Sequence, residues 1–133
     1  MPGFPVLEKL QKIRATIERL KWCRCPAENY KGDRLSSVMA FHESEHHLKA
    51  ICLNTAICRE TLVNQLTRIL IYKRLVPLIE ADPRTVKRPI GKGVQPVDLV
   101  IFWNDLVATS KDEVLALVDQ AIALEEAENA VEA

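Results

Sequence analysis

Two histidines four residues apart, His42 and His46, have the types and spacing that could do chemistry in this sequence. On an α-helix, residues i and i+4 lie one above the other, so both imidazole rings can reach one Zn²⁺ ion. Glu43, beside the first histidine, could then activate a metal-bound water, and Glu45 could supply a carboxylate ligand. One hypothesis is therefore a metal-dependent hydrolase centred on His42-Glu43-x-x-His46, in which His42, Glu45 and His46 hold zinc or iron.

The same five residues also have a purely structural interpretation. No further ligand follows at a characteristic spacing, and a pattern this short arises often by chance. At about 100° per residue, Glu45 would face the apolar side of a helix. That side is formed by Val38, Phe41, Leu48 and Cys52. A carboxylate there needs a partner, so we interpret the motif as a solvated polar face with one ion pair at the core edge, and we assign no catalytic residue.

The four cysteines are a second candidate site. Cys23 and Cys25 are one residue apart, whereas redox motifs and zinc knuckles use two. Cys52 and Cys58 lie in an apolar stretch typical of buried thiols. A zinc site formed by Cys23, Cys25 and either His46 or His47 is an alternative. Because we find neither a secretory leader nor about 18 consecutive apolar residues, we expect reduced thiols, no membrane and a cytoplasmic location.

A third candidate is the stretch of residues 83–96, which contains prolines and glycines. It carries four cations and no acidic residue. The cations are Arg84, Lys87, Arg88 and Lys92. They could contact nucleic-acid phosphates or an acidic protein surface. The stretch lacks the glycine-rich phosphate-binding pattern and any aromatic residue that could stack on bases. We predict a long basic loop that binds an acidic protein, with nucleic-acid binding through residues 84–92 as the alternative.

Charge along the chain is uneven although its formal net charge is zero. Residues 59–97 carry eight basic and three acidic side chains, whereas residues 98–133 carry one and nine. The neutral total argues against a generic polyanion binder, and the opposite signs favour polar binding faces or two segments that attract each other. We add Trp103 to the partner-binding residues, with burial in the core as the alternative.

Helices are predicted to position these residues. Pro5–Trp22 has apolar residues at three- and four-residue steps, which predicts a first helix. The helical pattern then runs from Arg34 to Asp82, with a break expected near Asn54–Thr55 and a central buried helix over residues 69–79. Cys23–Gly32 is predicted to be a loop because Pro26, Asn29 and Gly32 break regular structure.

The last third of the chain supplies a helix start. Ser110 and Glu113 have the spacing of a capping box, which predicts a helix that frays over the acidic residues 125–133. Leu99–Trp103 is predicted to be helical, with a strand as the alternative. Few glycines and a high content of helix-forming residues complete the prediction of an all-α single domain over residues 1–133. We expect a bundle of four or five helices.

Together these patterns favour a non-enzymatic interaction protein. We expect an adaptor, inhibitor or regulator that binds another protein with an acidic surface and can form a homo-oligomer. A nucleic-acid-binding regulator and the metal-dependent hydrolase are the alternatives. The first interpretation rests on the two oppositely charged segments and the basic loop, together with the weakness of each catalytic pattern.

Overall fold

A computed structural model describes residues 5–24, 26–86 and 94–132, and this part of the chain is mostly helical. It contains seven α-helices and four short strands. The helices are α1 (Val6–Arg19), α2 (Ser37–His42), α3 (Leu53–Glu60), α4 (Gln65–Ala81), α5 (Pro83–Val86), α6 (Pro96–Phe102) and α7 (Lys111–Glu132). The strands are β1 (Lys21–Trp22), β2 (Ala27–Asn29), β3 (Arg34–Leu35) and β4 (Leu48–Ile51). The predicted helical character is confirmed, but a bundle of four or five helices does not describe this fold, because it also contains a sheet.

Helix α1 forms where the apolar spacing predicts it. Leu10, Ile13 and Ile17 are buried on one face, while lysine, arginine and glutamate cover the other. The helix ends at Arg19, earlier than predicted, because Leu20 is extended. The next two residues form β1 and pair with β4, so tertiary strand pairing outweighs the local helical pattern there.

The four strands make one small sheet in the order β1-β4-β2-β3. Strand β1 runs parallel to β4, and β2 is antiparallel to both β4 and β3. The predictions of a helix through Leu48–Ile51 and of a loop over Cys23–Gly32 are therefore wrong in part. Three of the four β4 residues are buried, so its apolar run has no clean alternation that would distinguish it from a buried helix.

Helices α3 and α4 are separated at Thr61–Asn64 rather than at Asn54–Thr55. The N-terminus of α4 is capped by Asn64, whose Oδ1 accepts from the Thr67 amide at 3.1 Å. One side of α4 is buried through Ile71, Tyr72, Leu75 and Ile79. Ile69 is 46 % exposed, so the predicted central buried helix has an open apolar side.

The last helices agree more closely with the pattern. Leu99–Trp103 is helical, and α6 continues into a π-helical turn over Trp103–Val107. Ser110 Oγ accepts from the Glu113 amide at 3.3 Å, which confirms the hydroxyl half of the capping box. The Glu113 carboxylate accepts from the Thr109 amide instead of the Ser110 amide. Helix α7 packs against α1 and α4.

Part of the predicted basic loop is regular, since Pro83–Val86 forms α5. Residues 87–93, with Lys87, Arg88 and Lys92, lie outside the described residues. Across the described ranges, no helix is both long enough and apolar enough to cross a membrane.

Candidate functional site

The histidine motif does not have the geometry that a helical zinc site requires. His42 is the last residue of α2, the backbone of Glu43 and Ser44 is extended, and Glu45–His47 forms a separate 3₁₀ turn. The premise that His42 and His46 occupy successive turns of one helix is therefore wrong. Among the described residues, no group of three or more His, Cys, Asp or Glu side chains is placed to hold a metal ion.

Glu45 also differs from the prediction, because it is exposed instead of facing the core. Its carboxylate pairs with the Arg19 guanidinium and accepts from Thr16 Oγ1 at 3.5 Å. The turn that interrupts the predicted helix rotates Glu45 away from the apolar residues around it. Glu43 pairs instead with His47, at 3.0 Å between Oε1 and Nδ1, and this hydrogen bond lowers the pKa of Glu43.

Because both histidines of the motif are exposed, their loss is expected to have little effect on folding. We predict that the double variant His42→Ala, His46→Ala changes the free energy of unfolding by less than about 1 kcal/mol. Urea unfolding followed by circular dichroism measures this change. A loss of several kcal/mol would show that the motif has a structural role that its exposure does not reveal.

Arg84 and Trp103, both predicted to bind a partner, meet at Asp82. Arg84 donates to Asp82 Oδ2 at 2.8 Å and to Glu113 Oε1 at 2.7 Å. Trp103 is 3 % exposed, and its indole N–H donates to the same Asp82 oxygen at 3.1 Å. Trp103 is thus a core residue, because burial of its ring is compatible with a hydrogen bond for its N–H. The remaining predicted cations, Lys87, Arg88 and Lys92, are not among the described residues.

Asp82 gives a pH prediction. Hydrogen bonds from Arg84 hold the pKa of Asp82 below its usual range. A depressed folded-state pKa contributes stability above the ordinary pKa of about 4, and this contribution is lost as the pH falls below that value. We expect Asp82→Asn, which keeps an acceptor for Trp103, to be less sensitive to acid than the unaltered chain. Urea midpoints between pH 5 and pH 2 measure this difference, and equal slopes would contradict the assignment.

Asn104 is a buried polar junction that the sequence analysis missed. Its Oδ1 accepts from Trp22 Nε1 at 2.8 Å and from the Leu53 amide at 3.1 Å, and its Nδ2 donates to the Cys23 carbonyl at 3.2 Å. One side chain thereby joins β1, α3 and the π-helical turn. An asparagine within an apolar run was the available signal, since a buried amide must find partners.

The prediction of buried thiols is confirmed for Cys52 and Cys58. Cys52 caps α3, and burial raises the pKa of its thiol. Cys58 Sγ lies 3.9 Å from Tyr72 Oη, which donates to Asn54 Oδ1 at 2.6 Å. The side chains of Asn54, Cys58 and Tyr72 border a large cavity between helices. Cys25 lies outside the described residues.

That cavity, which we call the α4 groove, has a volume of about 840 Å³ and is bounded by α2, α3, α4 and the start of α6. Apolar side chains from three of these helices dominate its lining. They are Phe41, Ile69, Val76, Pro77, Pro96 and Val97. Two other cavities, of about 510 and 330 Å³, are lined by residues already joined in ion pairs, such as Arg19 with Glu45 and Asp82 with Arg84.

The charged residues that line the α4 groove within the described part of the chain are both cations, Arg68 and Lys73. The Arg68 guanidinium donates to Thr61 Oγ1 at 3.0 Å and to the Thr61 carbonyl at 2.9 Å, and these two hydrogen bonds fix its position. Lys73 is exposed. Leu66, 55 % exposed, lies one helical turn before Ile69 and extends the apolar surface along α4. The groove therefore combines an apolar lining with positive charge.

The comparisons with known proteins identify the family. The model of a family described as "Family of unknown function (DUF6197)" matches residues 1–124. No curated protein and no solved structure matches the chain.

Proposed function

Since the chain belongs to the family of unknown function DUF6197, we propose a function from the geometry of its own structure. We propose that the protein is not an enzyme and that its α4 groove binds an acidic, amphipathic helix of another protein. The observation that carries this proposal is the apolar lining of a groove whose charged lining residues are both cations. Adaptors, inhibitors and regulators act by binding other proteins in this way. We propose that this protein acts in the cytoplasm.

The apolar component supports a helix as the occupant. An amphipathic helix binds a groove through apolar side chains at positions i, i+3 or i+4, and i+7. Ile69 and Leu66 expose apolar surface along α4, and Phe41 and Val97 face the cavity from other segments. Burial of such surface supplies roughly 25 cal/mol per Å², which is the main favourable contribution to helix docking.

The charged component supports an acidic partner. Arg68 is held in place by Thr61, so less side-chain freedom is lost when its guanidinium meets a carboxylate. Lys73 adds a second cation on the same helix. Two cations can select an acidic helix and accelerate its association, whereas polyanion binding draws its affinity from many phosphate contacts. The described part of the groove therefore favours a protein over a nucleic acid.

The direct test is a titration with a fluorescein-labelled peptide that has leucines at helical i, i+3 and i+7 positions and glutamates between them. Fluorescence anisotropy is expected to rise to saturation with the unaltered chain. Ile69→Glu should weaken this binding at least tenfold, because it places a carboxylate against apolar side chains and repels the acidic peptide.

Val63→Glu is the matched control, since Val63 is fully exposed and does not line the groove. It introduces the same charge and should leave binding unchanged. A second peptide with lysine in place of glutamate should bind at least tenfold more weakly. Equal binding by Ile69→Glu and the unaltered chain, or no saturable binding of the acidic peptide, would overturn the proposed function.

A further inference from the structure

The last turns of α7 present an apolar stripe that no other element covers in the described part of the chain. Leu124 is 44 % exposed and Val131 is 87 % exposed, with exposed Ala127 between them. These positions follow the i, i+3, i+7 spacing and lie on one face of the helix. We call them the α7 stripe. It has the spacing by which a helix docks in a groove.

Carboxylates cluster at the same end of α7. Glu125 and Glu128 both pair with Arg74, and Glu126 is exposed. Three carboxylates and one guanidinium give this end of the helix a net negative charge. The chain thus carries an apolar groove lined by Arg68 and Lys73, and an apolar stripe on an acidic helix end.

The helix α7 of the same chain is held away from the α4 groove. Arg74, which pairs with its carboxylates, lies about 140° around α4 from Ile69. Because α7 packs on that other side of α4, its own stripe cannot enter the groove while α7 keeps its place in the fold.

We infer that the helix bound in the α4 groove is the end of α7 from a second copy of this chain, so that the protein associates with itself. This inference rests on the proposed function and names the partner. The charges of the groove and of the helix end are opposite, and their apolar surfaces are both exposed in one molecule. A contact of two helical turns is small, so the association is expected to be weak and concentration-dependent.

Sedimentation velocity over a range of concentrations is the test. The unaltered chain is expected to shift from monomer towards a larger species as its concentration rises. Ile69→Glu should weaken association at least tenfold, and so should the charge-neutral double variant Leu124→Gln, Val131→Gln. The matched controls are Val63→Glu for the groove and Asn129→Gln for α7, since Val63 does not line the groove and Asn129 is exposed on the face of α7 opposite the stripe.

A mixture of the two deficient variants gives a further outcome. The Ile69→Glu variant keeps an intact α7 stripe, and the Leu124→Gln, Val131→Gln variant keeps an intact α4 groove. The stripe of the first variant can therefore bind the groove of the second, and mixing the two should produce a heterodimer. Circular dichroism establishes that both variants are folded.

Monomer at every concentration, or association that neither variant weakens, would overturn the inference. If the chain is monomeric but the acidic peptide still binds through Ile69, the proposed function stands and self-association is excluded. If the peptide does not bind and the chain is monomeric, both proposals are wrong.

Discussion

Replacing Asn104 with alanine is expected to lower the free energy of unfolding by about 3 kcal/mol or more, because a buried donor or acceptor that loses its partner costs about 1–3 kcal/mol. The truncation leaves Trp22 Nε1 and the Leu53 amide without the oxygen they now share, and it removes the donor to the Cys23 carbonyl. Asn104 is 0 % exposed, so its own contacts are lost together with these hydrogen bonds. Urea unfolding at neutral pH measures the change.

Asn129→Ala on the exposed end of α7 is the matched control and should change stability by less than about 0.5 kcal/mol. A loss below about 1 kcal/mol for Asn104→Ala would show that the junction between β1, α3 and the π-helical turn does not depend on this amide. Far-ultraviolet circular dichroism of the variant at low temperature distinguishes destabilisation from failure to fold.

Trp103→Ala is expected to cost about 3–5 kcal/mol, the usual range for removing a buried aromatic side chain. Such a loss is a large fraction of the total stability of a small domain. Trp103 packs in the core at 3 % exposure and donates its indole N–H to Asp82. The prediction distinguishes the two uses that the sequence allowed, because a partner-contact residue would affect binding without affecting unfolding.

Trp103→Phe is the informative companion. It keeps most of the ring volume and removes the N–H, and Asp82 retains its hydrogen bonds with Arg84. We expect its cost to be less than half that of Trp103→Ala. If Trp103→Ala were as stable as the unaltered chain but failed to bind the acidic peptide, the indole would be a partner contact and its assignment to the core would be wrong.

Helices with a strong local pattern could be predicted from the sequence. The buried face of α1 follows from Leu10, Ile13 and Ile17 at helical spacing, and the start of α7 follows from the Ser110 hydroxyl and the Glu113 amide. In both cases, neighbouring residues along the chain determine the element. Interactions between distant segments add to stability there without changing the type of structure.

The strands could not be predicted because their stability depends on distant partners. Leu48–Ile51 pairs with Lys21–Trp22 and with Ala27–Asn29, and none of these segments has enough residues to show a period of two. The helical geometry assumed for the alternative metal motif is absent for the same reason. The chain leaves α2 at Glu43–Ser44, where the backbone is extended, before it reaches the strand that follows His47. This break separates the two histidines that a continuous helix would have aligned.

The position of the candidate site could not be predicted from the sequence. The charge distribution led us to expect a basic surface for an acidic partner, and that partner stays a prediction. The cations proposed for it were those of residues 84–92. Arg84 instead forms ion pairs with Asp82 and Glu113. The α4 groove draws residues from α2, α3, α4 and α6, so its cations and its apolar lining come together only through the tertiary fold.

Chemical-shift mapping is the most direct test of whether the α4 groove binds the end of α7. Unlabelled peptide covering residues 111–132 is titrated into the ¹⁵N-labelled full chain, and the amide shifts are followed by two-dimensional NMR. We expect saturable shifts concentrated along α4 between Gln65 and Val76 and at Val97, and we expect Ile69→Glu to abolish them. Saturable shifts confined to another face, or no shifts at millimolar peptide, would contradict binding of the α7 end in the α4 groove.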